Sequence, residues 1–213
     1  MKPSVEKITQ SVFDDLTSPR INVAEEIATK IPLLVICSLL GIPRQDWEEL
    51  QQSTDQFLKI FLPDQLSGNE VEEINAASDY FIEYFSSLIK NARQKTNSNL
   101  TSELIFGPLR AGLISPEQLI GFLRGLFTAG FETTAATISA SFLGFAKQTD
   151  QFERMSQMEA AIPDAVNEIL RWETPVQAMI RYSSKDLLLG NVLVETGSAL
   201  LLLTGSSNRD PNR

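Results

Sequence analysis

Residues 115–147 read SPEQLIGFLRGLFTAGFETTAATISASFLGFAK, and this stretch decides the fold. Ser115 suits an N-cap, Pro116 the first helical position, and Gln118 completes a capping-box spacing. The next proline is Pro163, so the run predicts one helix of roughly 45–50 Å at the α-helical rise per residue. Leu119, Ile120, Leu123, Leu126, Phe127, Ala135, Ile138, Phe142 and Leu143 make it apolar nearly all round, the pattern of a helix crossing a large domain or a membrane. Glu132 interrupts the pattern as the only carboxylate between Glu117 and Lys147. A buried carboxylate is costly unless paired, hydrated or put to use. Beside it, Gly130 removes bulk at a cost of about 1 kcal/mol of helix propensity. Thr133 and Thr134 carry hydroxyls able to bond back one turn and loosen the backbone ladder. Together with Ala129 they form a notch where a small ligand and water can approach.

Composition narrows the function classes. The chain has 213 residues, 43% apolar and 21% charged, ordinary values for a soluble globular protein with a sizeable core. A net charge of −9 without a basic cluster argues against a nucleic-acid partner. The absence of histidine excludes imidazole metal ligands and histidine-based nucleophilic catalysis. Cys37 has no cysteine to pair with, which fits a reducing, cytoplasmic setting, and its apolar surroundings predict a buried thiol. Residues 1–16 are charged and amphipathic, unlike a signal peptide. Arg124 and Glu132 would each cost about 3 kcal/mol near mid-bilayer, so no membrane segment is expected.

The rest of the chain reads as helix after helix. Val5, Ile8, Val12, Phe13 and Leu16 mark a first one, ended at Ser18-Pro19. Residues 21–23 read as extended, and 24–40 as helical, interrupted at Pro32 and closed by Gly41 with Pro43 beyond. Further helices are expected from Trp47 to a stop at Pro63, over 69–93, over 151–158 and over 163–172, with a polar loop at 96–99. Tyr80, Phe81, Tyr84 and Phe85 read as core. Strands at 185–189 and 192–194 flank Gly190-Asn191, a two-residue hairpin signal. Another apolar strand spans 198–204, and Asn208-Arg209-Asp210-Pro211 forms a turn.

The string Ala129-Gly130-Phe131-Glu132-Thr133-Thr134 resembles the oxygen-activating motif of the cytochrome P450 haem-thiolate monooxygenases, Ala/Gly-Gly-x-Asp/Glu-Thr. Two other segments resemble the same family in the same order. One is residues 31–43. The other runs from Glu168-Ile169-Leu170-Arg171 through Thr174-Pro175-Val176 to Arg181 and is similar to its Glu-x-x-Arg helix and following strand. The resemblance implies a mainly α fold with a long central helix and a small β-hairpin region near the C-terminus. It implies haem b as cofactor and insertion of one oxygen atom of O2 into a small organic substrate. A ferredoxin- or flavin-type donor would supply the electrons. By the same resemblance Glu132 and Thr133 are the catalytic acid–alcohol pair, Ala129 and Gly130 lie against the haem face, and Arg181 reaches a haem propionate. Glu168 and Arg171 form a buried structural ion pair completed by an arginine from a later loop, while Val176 and Met179 flank the substrate. The helices at 47–61 and 69–93 would form a lid. Val194-Glu195-Thr196-Gly197 departs from the family's Ile-Pro-x-Gly, altering a turn.

A larger departure concerns iron. The family's ligand is a cysteine within Phe-x-x-Gly-x-x-x-Cys-x-Gly, a pattern this sequence does not contain, and Cys37 lies in unrelated surroundings. The expectation is therefore a single partial domain, 1–213, without a metal ligand and inactive by itself. Its parts are lid-side helices (1–114), the oxygen-activating helix (115–147), the Glu-x-x-Arg region (148–181) and a hairpin and turn (182–213). Two alternatives stand beside it: a split-enzyme half or non-catalytic fragment acting as an interaction module, and a helical small-molecule-binding protein without redox chemistry.

Overall fold

A computed structural model describes residues 1–61, 66–93, 98–158 and 161–212. The fold is mainly α with a small β region near the C-terminus. The chain divides into two compact units, Met1–Glu132 and Thr133–Arg213. Helix α6, Pro116–Lys147, is unbroken over 32 residues and contributes to both. Its start follows the sequence signal. The Gln118 N–H donates to Ser115 Oγ at 3.2 Å, and the Ser115 N–H donates to Gln118 Oε1 at 2.8 Å.

The first unit contains α1 (Lys2–Asp14), α2 (Lys30–Leu40), α3 (Trp47–Leu58), α4 (Gly68–Ala92) and α5 (Leu100–Leu104) around the first half of α6. Leu119, Leu123, Phe127 and Phe131 recur every fourth residue on α6, so they line one stripe, and all four are fully buried. Against them lie Phe81 and Phe85 of α4. The Phe81 and Phe85 rings each sit 6.3 Å from that of Phe127, which is 5.5 Å from Phe131. Phe57 of α3 meets Phe81 edge-on at 5.9 Å. Tyr80 and Tyr84 are half-buried with polar tips, and the Tyr84 hydroxyl donates to Asp46 Oδ2 at 2.7 Å. Leu33, Ile36, Cys37 and Leu40 of α2 complete the cluster.

Several details depart from the sequence reading. Val23 already has helical backbone angles, and the turn after it, Ala24–Thr29, is wound as a wider π-helix leading into α2. The predicted break at Pro32 is absent. A proline ring crowds the carbonyl four residues back, and here that residue, Ala28, lies in the widened turn. Gly41 ends α2 with φ 72°, the left-handed region that favours glycine, and an added Cβ would also have to displace the Asn99 side chain, whose Nδ2 lies 2.0 Å away. Helix α5 and the π-wound Ile105–Leu109 after it carry little sequence signal. Asn99 caps α5, and Thr101 Oγ1 donates to the Leu40 carbonyl at 2.7 Å. The stop at Pro63 and the start of the 96–99 loop lie outside the described residues.

The second unit holds the rest of α6, α7 (Thr149–Ser156), α8 (Ile162–Trp172), α9 (Thr204–Ser207) and four short strands. β1 (Met179–Tyr182) pairs antiparallel with β4 (Ala199–Leu202), Met179 opposite Leu202. β2 (Leu187–Leu189) and β3 (Val192–Val194) form the hairpin expected at Gly190-Asn191, with Gly190 at φ 57°. At 195–198 the Ser198 N–H donates to the Glu195 carbonyl, and Gly197 takes φ 85° at the third position, as a type II turn requires.

The α6 stripe sets the stability of the first unit. Phe127→Ala should lower it by about 3–5 kcal/mol, the usual range for an emptied aromatic site. Phe142→Ala, at a position 40% exposed, should change it far less. Paired chemical-denaturation curves of the two variants check this.

Candidate active site

The stripe that buries Phe131 places Glu132 one residue round the helix, where it is half-buried. Burial pushes its carboxyl above the usual carboxylate range, and the negative charge of Asp55 on α3 adds to the rise. Asp55 is itself shifted upward by partial burial. No sequence signal links these two acids, because only packing of α3 brings them into range. Thr133 and Thr134 are exposed. Threonine back-bonding does occur along α6, at Thr128 to the Arg124 carbonyl (3.1 Å) and at Thr137 to the Thr133 carbonyl (2.9 Å). Ala129 is exposed, while Gly130 is half-buried against α2. A Cβ on Gly130 would stand 3.1 Å from Ile36 Cδ1, so its lack of a side chain admits the α2 packing.

In the second unit Arg181 lies exposed on β1, and its Nη1 donates to the Ile180 carbonyl at 2.9 Å. It forms no ion pair among the described residues. Val176 is exposed in the loop before β1, and Met179 is half-buried at its start. Glu168 and Arg171 make a two-pronged pair on α8, Nε to Oε2 at 2.7 Å and Nη2 to Oε1 at 2.6 Å. This pair was expected to be buried; its side chains are 61% and 43% exposed. The reason is that α8 has no buried residue along its length, so no face of it encloses the two charges. The hydrogen bonds hold the Glu168 carboxyl below the usual range. Arg171 also donates to the Asn208 carbonyl at 2.6 Å.

A cavity of about 660 Å³ opens beside this pair, with Leu143, Phe145, Met155, Ile169 and Trp172 among its lining. It does not include Thr133, Val176, Met179 or Arg181. The expected site residues are thus spread over α6, the loop after α8 and β1.

The implied haem tests these residues in two ways. Exposed Ala129 suits a flat apolar face, and an exposed arginine without a carboxylate partner suits a propionate. For the iron the fit fails. Cys37 is fully buried, and burial together with Asp46 pushes its thiol up to about 12, leaving a neutral group with no open approach. Among the described residues no cluster of three acids or cysteines stands ready for a metal. No helix of the described residues is long and apolar enough to cross a membrane.

The raised Glu132 carboxyl has a measurable consequence. Its folded form binds protons more tightly than its unfolded form, so stability falls as pH rises through the window that begins near 4.5, the ordinary glutamate value. Glu132→Gln removes this loss. The variant should gain stability over the parent at pH 7 and show no gain at pH 4, read from denaturation curves at both.

Comparison with known proteins gives this geometry its context. The family model described as Cytochrome P450 matches residues 43–213. Cytochrome P450-SU2 of Streptomyces griseolus is 30% identical over 213 residues, covering 99% of this chain and 50% of that protein. The 6-deoxyerythronolide B hydroxylase of Saccharopolyspora erythraea is 26% identical, covering 100% and 52%. The solved structure of P450BioI in complex with an acyl carrier protein ligated to hexadec-9Z-enoic acid superposes with a TM-score of 0.90 at 26% identity, covering 99% of this chain and 55% of that one. The chain spans about half the length of the curated relatives it matches. With four-fifths of its residues matched by that family model, the chain belongs to the cytochrome P450 family.

Proposed function

We propose that this chain is the proton-handling and substrate-side portion of a single P450 monooxygenase domain acting on a small organic molecule in the cytoplasm. The observation that carries the reading is Glu132. It is the one acid in the middle of α6, half-buried, its carboxyl raised above the usual carboxylate range by burial, with the Thr133 hydroxyl next in sequence. A carboxyl whose proton affinity is raised by burial holds a proton more readily than a fully exposed glutamate and can pass it on. Thr133 holds water beside it, and the short side chain of Ala129 leaves room for a flat ligand against the helix. In the second unit, Arg181 supplies a cation for an anionic group of a bound molecule. Val176 and Met179, also in the second unit, give an apolar border that excludes water from a bound organic molecule.

Family members bind haem, and that group supplies electron transfer and dioxygen chemistry when present. Its electrons come from a ferredoxin- or flavin-type donor in this reading. An apolar border specifies a substrate class only by size and greasiness, which suits large apolar molecules such as the hexadec-9Z-enoic acid and 6-deoxyerythronolide B named for two relatives. The free, buried Cys37 accords with a reducing compartment.

The 213 residues alone offer no thiolate. Reconstituted with haem, reduced and exposed to carbon monoxide, the isolated chain should give no red-shifted thiolate-type absorption band; such a band would refute this part of the reading. In a haem-loaded protein containing the chain, Glu132→Gln should slow turnover by about 100-fold, the scale of a lost general acid. The solvent isotope effect should rise, with substrate affinity unchanged. An unaltered isotope effect and rate would remove Glu132 from proton delivery.

A further inference from the structure

The loop that leaves α8 has no regular structure of its own, yet several of its carbonyls accept hydrogen bonds. Between residues 172 and 177 the chain runs from the last residue of α8 toward β1, exposing Val176 on the way. Three of its carbonyls accept hydrogen bonds from residues 204–209. The Gly205 N–H donates to the Gln177 carbonyl at 3.0 Å, and the Thr204 hydroxyl donates to that of Val176. Arg209 Nε donates to the Trp172 carbonyl at 3.0 Å, joined there by Nη2. Gly205 packs close to the loop, since a Cβ there would lie 2.1 Å from Gln177 Oε1 and push that side chain aside.

Arg209 differs from the other two donors in making several contacts at once. Its guanidinium lies 4.6 Å over the Trp172 ring, and Nη2 pairs with Glu173 Oε1 at 3.4 Å. An exposed ion pair alone contributes little. Here it is added to a forked donation onto the carbonyl end of a helix, where a cation is favoured by the helix dipole, and to stacking on an indole. Lysine can meet only part of that set. Asn208 strengthens the join, its carbonyl accepting from Arg171.

We infer that Arg209 is a positioning residue: it clamps the end of α8 and thereby sets the path of the loop that carries Val176 and leads to Met179. The inference deepens the proposed substrate side and rests on the reading that Val176 and Met179 border the bound molecule. Residues 204–209 act as a splint along this loop. Arg209 is the charged lock at its α8 end.

The test uses the whole chain labelled with fluorotryptophan, as parent, Arg209→Met and Arg209→Lys, with Arg154→Met as a control on an exposed arginine of α7. Amide hydrogen exchange and fluorine NMR are the readouts. Arg209→Met should speed exchange of residues 173–182 by about tenfold, the scale of a lost charge-assisted bond, with α6 amides unchanged. Arg209→Lys should restore exchange to within about threefold of the parent, while both variants shift the Trp172 resonance and leave that of Trp47 in place. Arg154→Met should do neither. The inference is overturned if Arg209→Met leaves loop exchange within about twofold of the parent, if exchange rises alike across 133–212, or if the Trp172 resonance stays fixed. No cofactor enters these measurements, so their failure leaves the Glu132 reading intact, and a failed haem experiment leaves the clamp intact.

Discussion

Four side chains spaced one helical turn apart, Leu119, Leu123, Phe127 and Phe131, carry the organisation of the first unit. Each is fully buried, and together they offer α2 and α4 a continuous apolar strip. Two aromatic residues of α4 stack along that strip, and α2 approaches closely enough that a Cβ at position 130 would press on Ile36 at 3.1 Å. Burial of a leucine or phenylalanine contributes roughly 1.5–3 kcal/mol, so the strip outweighs any single polar contact in the unit. Because helical side chains turn by a fixed angle, burying Phe131 leaves its neighbour Glu132 at the margin of the core. The acid is therefore neither free in solvent nor sealed away, and this intermediate placement lifts its proton affinity.

Although α6 is apolar nearly all round, it is not covered on all sides. One stripe is covered, while Phe122, Phe142 and Leu143 remain substantially exposed. In the second unit the contrast is sharper. Of its hydrophobic residues only Ala135 is buried among those described, and backbone pairing and polar stitching stand beside contacts such as half-buried Phe145 against Phe152. The β1–β4 ladder, the Glu168–Arg171 fork and the bonds from residues 204–209 do the holding. Polar contacts of this kind give definition to a local path at modest net stability.

Local chemistry was legible wherever one or two residues decide the backbone. The Ser115–Gln118 box, the left-handed Gly41 and the Gly190-Asn191 hairpin all follow from residue type and position. Elements held from far along the chain were not. Helix α5 depends on Thr101 reaching the Leu40 carbonyl, and Asp55 influences Glu132 only through packing of α3. Arg209 offered no warning, since an arginine in a polar turn looks the same whether it is solvated or clamped. The Glu168–Arg171 spacing correctly suggested a pair, but spacing carries no information on what covers it.

The sealed position of Cys37 has a practical side. A thiol packed among Leu33, Ile36 and Leu40, with burial keeping it protonated, reacts sluggishly with alkylating or maleimide reagents while the fold is intact. The native chain is in effect silent toward such probes, so a single cysteine engineered onto its surface becomes a uniquely addressable handle for dyes or spin labels without first deleting the natural one.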